Sequence, residues 1–434
     1  MLVSRKKLSP TGLLSEAHAY FSQKFPDSEW RLRTTDPSRV DCLMSCTALF
    51  HLKFPSLLQY DQERRQNTTL FGNLKRLYSV SNAPSDTSMR EKLDLVEPQE
   101  IRGVFKKIFS VAQRGKVLEQ YEFWNKHYLL SIDGTGQFSS NKVHCDNCCV
   151  KKHSNGEMSY YHHALAGVIV HPKMKRVIPL APEAITKRDG ASKNDCEQNA
   201  AKRLLRDFRR EHPHLKVVVN EDSLYSTGPH VQLLKDLDMR FIIGAKPGNL
   251  GTLFDWVKHL EHGAHNHSDA KGTEHVYKYI NNVPLNDTHF ETKVNLLQYW
   301  ETDSKGNVQH FSWITDIPLS QNTVELVMRG GRARWRIENE TFNTLKNQGD
   351  NYEHNYGHGQ KNLCSVMGIL MMLAFLIDQI SELCDAAFQR AKAATRTYYN
   401  LWGNMRFVFQ YFEFSDWDSL FDKIAFRKTN PSTA

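Results

Sequence analysis

The chain has 434 residues, 40% hydrophobic and 24% charged, proportions of a globular protein that exclude collagen, coiled coil and wholesale disorder. Its length suits roughly two to four domains, and its formal net charge of +8 favours an acidic partner such as nucleic acid, although a basic enzyme shows the same balance. The longest apolar run, Leu363 to Ile377, contains Ser365 and Gly368 and reads as a buried helix rather than a membrane span. The start, MLVSRKKLSPTG, lacks the apolar core of a signal peptide. Eight cysteines, three of them within Cys145–Cys149, fit a reducing compartment better than secretion, so a cytoplasmic location is expected.

Residues 1–125 read as an all-helical domain. Apolar positions recur at helical spacing in Leu13–Phe25, Val40–Phe54, Leu70–Val80 and Ile101–Val111, with breakers at Pro26-Asp27, Pro55-Ser56 and Pro84-Ser85. Ser88 and Glu91 have the spacing of a capping box. Basic residues along these helices (Arg64, Arg65, Lys75, Arg76, Lys106, Lys107) are solvated faces or the surface of a DNA-binding head.

From residue 126 the pattern changes. His127–Asp133, Tyr160–His171 and Val177–Ile185 read as strands, Lys193–Glu211 as a helix, Lys216–Val219 as a buried strand, Val231–Leu237 as a helix and Phe241–Ala245 as a strand. Three strands followed by alternating helix and strand predict a mixed α/β sheet with helices on both faces. This gives a core over 126–247 with a hairpin insertion at 141–159. A β-rich insertion follows at 248–320, with strands at His275–Ile280, Val294–Thr302 and Val308–Thr315. The second part of the core is 321–384, beginning with a long basic helix Thr323–Lys346 that Gly330-Gly331 could kink. A helical region closes the chain at 385–434.

Two acids end strands. Asp133 precedes Gly134-Thr135-Gly136, and Asp222 follows the KVVV strand. Carboxylates at the C-terminal ends of sheet strands stand where α/β folds place ligands, and a divalent cation removes the repulsion of a close pair. Two unrelated loop acids are the plain alternative. For a third acid, Glu338 and Glu340 compete. At about 100° per residue with Trp335 at zero, Phe342 lies near about −20°, Glu338 near about −60° and Glu340 near about +140°. Glu338 therefore falls on the apolar face, where a carboxylate is costly without a compensating charge. An ion pair with Arg334, one turn earlier, would also account for it. Three carboxylates on one sheet and a following helix suit two-metal phosphoryl transfer, which needs no protein nucleophile.

Taken in order, LLSIDGTG, VVVNEDSLYS, a β-rich insertion and RARWRIENETFNTLK make most of the chain resemble the DDE transposases of the IS-four superfamily of bacterial insertion sequences, which carry an RNase H-like core. The family's helix motif runs Tyr, two residues, Arg, three residues, Glu, six residues, Lys. Arg334 and Glu338 match it, Gly331 stands at the tyrosine position, and Lys346 comes one residue late. The resemblance implies catalysis by Asp133, Asp222 and Glu338 with Mg²⁺, for which Mn²⁺ can substitute. It also implies binding of double-stranded DNA at terminal inverted repeats, end cleavage, joining of 3′-hydroxyls to target DNA, and a homodimer or larger synaptic complex. Some relatives cleave through a DNA hairpin with an aromatic residue of the insertion, for which Trp300 is the candidate, though a core tryptophan is the plainer reading. Arg332, Arg334, Arg336 and Lys346 are candidate phosphate contacts.

The segment VHCDNCCVKKHSNGEMSYYHH offers Cys145, Cys148, His153 and His162 as ligands for a structural zinc, with Cys149 as substitute; reduced loop cysteines are the alternative. The histidines between His259 and His275 read as a solvated loop, and His354 and His358 as packing or DNA-facing groups. Rival functions are an RNase H-like nuclease or resolvase, a non-catalytic transposase-derived DNA-binding protein, and a zinc-dependent regulator.

Overall fold

The structure is a computed structural model that describes residues 5–26, 36–190 and 193–426. The breaker at Asp27 lies outside the described residues. Six helices come first: α1 Pro10–Lys24, α2 Arg39–His51, α3 Leu57–Gln66, α4 Thr68–Tyr78, α5 Asp86–Asp94 and α6 Pro98–Arg114. Each expected helical stretch is present. The cap of α5 is Ser85, rather than Ser88: Ser85 has the extended backbone that an N-cap needs, and its side chain accepts from the Ser88 amide.

The strands are β1 Glu122–Trp124, β2 His127–Ser140, β3 Cys149–Lys152, β4 Met158–Val170, β5 Ile178–Pro179, β6 Glu183–Ile185, β7 Val217–Glu221 and β8 Arg240–Gly244, followed by β9 Gly263–Ser268, β10 Glu274–Pro284, β11 Lys293–Thr302 and β12 Val308–Thr315. The single strand expected over Val177–Ile185 is two short ones, because Pro179 and Pro182 cannot donate to a ladder. The sheet is mixed. β2 is central, antiparallel to β4, which in turn pairs with β5 and β6; on its other side β7 and β8 run parallel to it. That order and direction define an RNase H-like core. Helix α7, Lys193–Glu211, covers one face, where Leu204 meets Gly167 of β4. The other face is covered by α12, Leu363–Cys384, whose Cys364 carbonyl accepts from Gln137 of β2. The remaining helices of this region are α8 Gly228–Asp236, α9 Gly251–Val257, α10 Val324–Arg332 and α11 Asn343–Asn347.

The β-rich insertion does not fold apart from the core. β12 pairs antiparallel with β8, and β11, β10 and β9 follow outward, so one sheet runs through both parts. The histidine-rich stretch expected as a loop contains β9. His265 and His267 alternate with exposed Ala264, Asn266 and Ser268, the period-2 pattern of a half-buried strand. On that inward face His267 stacks on His275 at 4.7 Å, and Tyr277 meets Tyr299 at 4.9 Å. The chemistry of a histidine suggested solvent, while cross-strand aromatic packing decided its place.

α12 is long and apolar enough to cross a membrane by length and composition, but 94% of its apolar window is buried inside the protein, as a core helix requires. Helices α1, α2, α5 and α6 pack against it, as does α13 Ala386–Thr395, on which α14 Tyr398–Tyr411 and α15 Trp417–Phe426 pack in turn. Polar ties join the two ends of the chain: Asn73 donates to the Phe409 and Phe412 carbonyls, and Arg406 to that of Lys53. Lys53, fully buried, lies 2.6 Å from both Asp350 and Asp378.

Candidate active site

The parallel pairing of β2 and β7 sets the first two acids. Its register matches Leu130 with Val219 and Ser131 with Asn220. Carried on by two residues, it aligns Asp133 with Asp222, the latter one position beyond the end of β7. Asp222 also accepts from the Leu224 amide and so opens the short turn Ser223–Tyr225. Gly244, at the end of β8, approaches so closely that a Cβ there would lie 3.6 Å from the Asp222 Cα.

The third acid arrives from α10 and its continuation. Asn220 Nδ2 donates to the Gly330 carbonyl at 2.6 Å, tying this helix to β7. The Gly330-Gly331 pair does not kink it. Both glycines lie inside α10 and permit close approach to the sheet: a Cβ at Gly330 would meet Ile242 at 2.7 Å, and one at Gly331 would overlap the Trp313 indole. This also explains why no tyrosine stands at position 331. The helix breaks instead after Arg332, at Ala333-Arg334, and resumes as a π-helix over Ile337–Phe342. Such wide turns occur preferentially at functional sites.

The break overturns the angular argument for Glu338. Trp335, taken as the inward reference, is 53% exposed, and Glu338 and Glu340 are both half-buried. Their partners separate them. The Arg334 guanidinium lies 2.5 Å from Glu338 and 3.0 Å from Asp133, bridging the two acids. Glu340 pairs with Arg336, which also donates to the Pro172 carbonyl. The ion pair expected from helical spacing therefore exists, and the same arginine reaches the central strand.

Burial pushes the Asp133 carboxyl up to about 6; Arg334 opposes this, while Glu338, Asp222 and Glu197 reinforce it. Arg334 is held above its usual range, since Asp133 and Glu338 outweigh its burial. Glu197 is the acid that sequence reading passed over. It sits on α7 over Gly134, where a Cβ would lie 2.9 Å from its Oε2, and it accepts from the Tyr225 hydroxyl at 3.0 Å. Its signal was available, because Glu197 shares a helix face with the buried Ala200, Ala201, Leu204 and Phe208. Asp133, Asp222 and Glu338 do not all close to within 4.8 Å of one another, as a single-ion cluster would, and Arg334 stands between two of them.

The other expected contacts are engaged within the chain. Arg332 pairs with Glu301 above the Phe311 ring, and Lys346 with Glu353 at 2.7 Å. Arg329, Arg332 and Arg336 line a cleft of about 390 Å³ beside Trp335. Trp300 is not a core residue. It lies half-buried on the outward face of β11, stacked on His310 at 4.5 Å with Lys278 Nζ 5.7 Å from its ring, because its neighbour Tyr299 takes the inward position.

The cysteine–histidine expectation is corrected at one ligand. Cys145, Cys148 and His162 come together, but the fourth member is His358, with all four ligand atoms within 4.8 Å of one another. His153 turns instead to Ser159 Oγ at 2.7 Å, because the tight turn after β3 carries it past the cluster. Cys149 points to the Ile185 carbonyl. His354 packs edge-on against Tyr356.

No protein-family model matches the chain, and no curated protein matches it by sequence. Among solved structures it is similar to a piggyBac transposase synaptic complex with hairpin DNA, at 10% identity and a TM-score of 0.39, over 99% of this chain and 82% of that one. The RNase H-like assignment rests on the strand order itself.

Proposed function

We propose that the chain is a DDE-type DNA transposase of the IS-four superfamily, acting on the terminal inverted repeats of an insertion sequence. The observation that supports this most is the shared register of Asp133 and Asp222 on neighbouring parallel strands, with Glu338 brought to Asp133 by one arginine. The donor set fits a hard divalent cation: oxygen ligands only, around Asp133, whose carboxyl is raised by burial and then by its acidic neighbours. Asp133, Asp222 and Glu338 would hold Mg²⁺, or Mn²⁺ in its place. Bound there, a pair of such ions supplies the Lewis acidity that activates water or a 3′-hydroxyl and stabilises the leaving oxygen.

The chain's own residues do the rest. Arg334 neutralises the acids while the site is free, and its guanidinium then turns to a DNA phosphate. Arg332, Arg336 and Lys346 exchange their carboxylate partners for the backbone of double-stranded DNA, the contacts that position a duplex without reading it. Trp300, on an outward face beside Lys278, offers a ring on which an unpaired base stacks. Holding two element ends at once calls for a homodimer or larger assembly, in the bacterial cytoplasm at the nucleoid.

The test is cleavage of a plasmid carrying the element's two ends with their flanks. The account expects Mg²⁺-dependent cuts at the ends and joined products with target DNA, lost in Asp133→Asn and Asp222→Asn. Cutting of structured DNA without joining would favour a nuclease or resolvase, and end binding without cutting a non-catalytic DNA-binding protein.

A further inference from the structure

The cysteine–histidine cluster gathers residues from three separate parts of the fold. Cys145 and Cys148 lie in the turn before β3, His162 on β4, and His358 in the loop between α11 and α12, and all four are buried. The two sulfurs are 3.9 Å apart, Cys145 Sγ is 3.4 Å from His162 Nε2, and Cys148 Sγ is 3.3 Å from His358 Nε2. A tetrahedral zinc with bonds of about 2.3 Å to sulfur and about 2.05 Å to nitrogen has edges of about 3.8 Å between sulfurs and about 3.6 Å between sulfur and nitrogen. The observed separations match those edges within a few tenths of an ångström.

The surroundings are those of ligands rather than of packed side chains. His358 Nδ1 lies 2.9 Å from the Gly359 carbonyl, so a proton there is donated to it and leaves Nε2 with its lone pair aimed at the thiols. Gly357 and Gly359, at φ of 146° and 70°, allow the sharp turn that presents this ring. The Cys145 amide points back at Cys148 Sγ at 3.5 Å and the Cys148 amide donates to the Cys145 carbonyl, curling the turn around its two sulfurs.

We propose that Cys145, Cys148, His162 and His358 form a structural zinc site that fastens the hairpin insertion to the loop between α11 and α12. Sulfur and imidazole donors select zinc over magnesium, so this site is chemically separate from the carboxylate cluster. Its four protein ligands close the coordination shell, as in structural rather than catalytic zinc. The fastener has two neighbours that hold the same loop: Asn147 donates to the Lys361 carbonyl, and Asp94 of α5 accepts the amides of Gln360, Lys361, Asn362 and Leu363. The loop is thereby clamped between the helical domain and the hairpin.

The experiment is elemental analysis of the full chain, purified under reducing conditions without metal affinity resin. The wild type is expected to retain a single zinc per chain, His153→Ala to keep it, and His358→Ala and Cys148→Ser to lose it. Should those two variants fail to fold, cobalt exchanged into the wild type gives the second readout: intense tetrahedral ligand-field bands with thiolate-to-cobalt charge transfer. Zinc-free wild type that takes up no cobalt, a Cys145–Cys148 disulfide in the reduced preparation, or zinc lost in His153→Ala but kept in His358→Ala would overturn the proposal.

Discussion

Arg334 Nη1 lies 3.0 Å from Asp133 Oδ2, across 201 residues of chain, and the same guanidinium holds Glu338, four residues further on in the π-helical turn. A single cation thus offsets two neighbouring acids, one of which, Asp133, is raised by burial and by the acids around it. Replacing it leaves two partly buried carboxylates without their shared cation, which costs less than the loss of a partner from a fully buried pair. Arg334→Gln is expected to lower stability by about 1–3 kcal/mol in the presence of a chelator and to recover most of that loss in saturating Mg²⁺. Calorimetry with and without the cation decides this; an equal loss in both conditions would assign Arg334 a packing role only.

Asp133 should behave in the opposite sense. Its folded pKa of about 6 lies above the ordinary value of 3.8, so the folded chain binds this proton more tightly than the unfolded one. Stability tied to the neutral form is fully present below pH about 4 and is lost as pH rises through about 6. Asp133→Asn is expected to abolish cleavage yet raise cation-free stability at pH 8 by about 1–3 kcal/mol, with no gain at pH 3.5. The proton also competes with cations, so Mg²⁺ affinity of the wild type should fall below about pH 6. Chemical denaturation across this range, without added metal, would contradict the account if the variant were less stable at pH 8.

Lys53 gives a prediction away from the site. Its ammonium is buried with Asp350 and Asp378, and His51 lies 3.2 Å from Asp378. Burial alone would lower the Lys53 pKa, but the two aspartates outweigh it and raise it. Lys53→Met strands two buried carboxylates and should cost about 3–5 kcal/mol, read from the urea midpoint of the full chain. A change below about 1 kcal/mol would mean that water reaches the cluster.

Asp94 tests the loop clamp. Four backbone amides at the entrance to α12 hold its carboxylate below the usual range against the effect of burial. Its contribution is present above the unfolded value near 3.8 and is lost as pH falls through the lower folded value. Asp94→Ala should cost about 1–3 kcal/mol at neutral pH and increase amide exchange across Gln360–Leu363. Unchanged exchange there would show that the zinc ligands alone fix the loop.

The core was legible in the sequence because it is written in local pattern: apolar strands ending in acids, a helix stopped by Pro213, and helical periodicity at both ends. The pairing of β2 with β7, which aligns Asp133 and Asp222, follows from the order of elements. What escaped depended on distant contacts. His358 joins Cys148 across 210 residues, and nothing near it in the chain marks it as a partner. β9 was hidden because histidine suggests solvent, whereas His267 stacks against Tyr277 and His265 packs on it at a tilt. The helix face of Glu338 was misjudged because the angular count assumed an unbroken α-helix, and the π-helical turn changes the count.

The most direct test of the central claim compares Glu338→Gln with Glu340→Gln for Mg²⁺-dependent cleavage of DNA carrying the element's ends. The two acids sit two residues apart on one π-helical turn, and only Glu338 reaches Asp133 through Arg334. The account predicts that Glu338→Gln loses cleavage by a factor of at least about 10³ while Glu340→Gln stays within about tenfold of wild type. Loss in Glu340→Gln with activity retained in Glu338→Gln would contradict it.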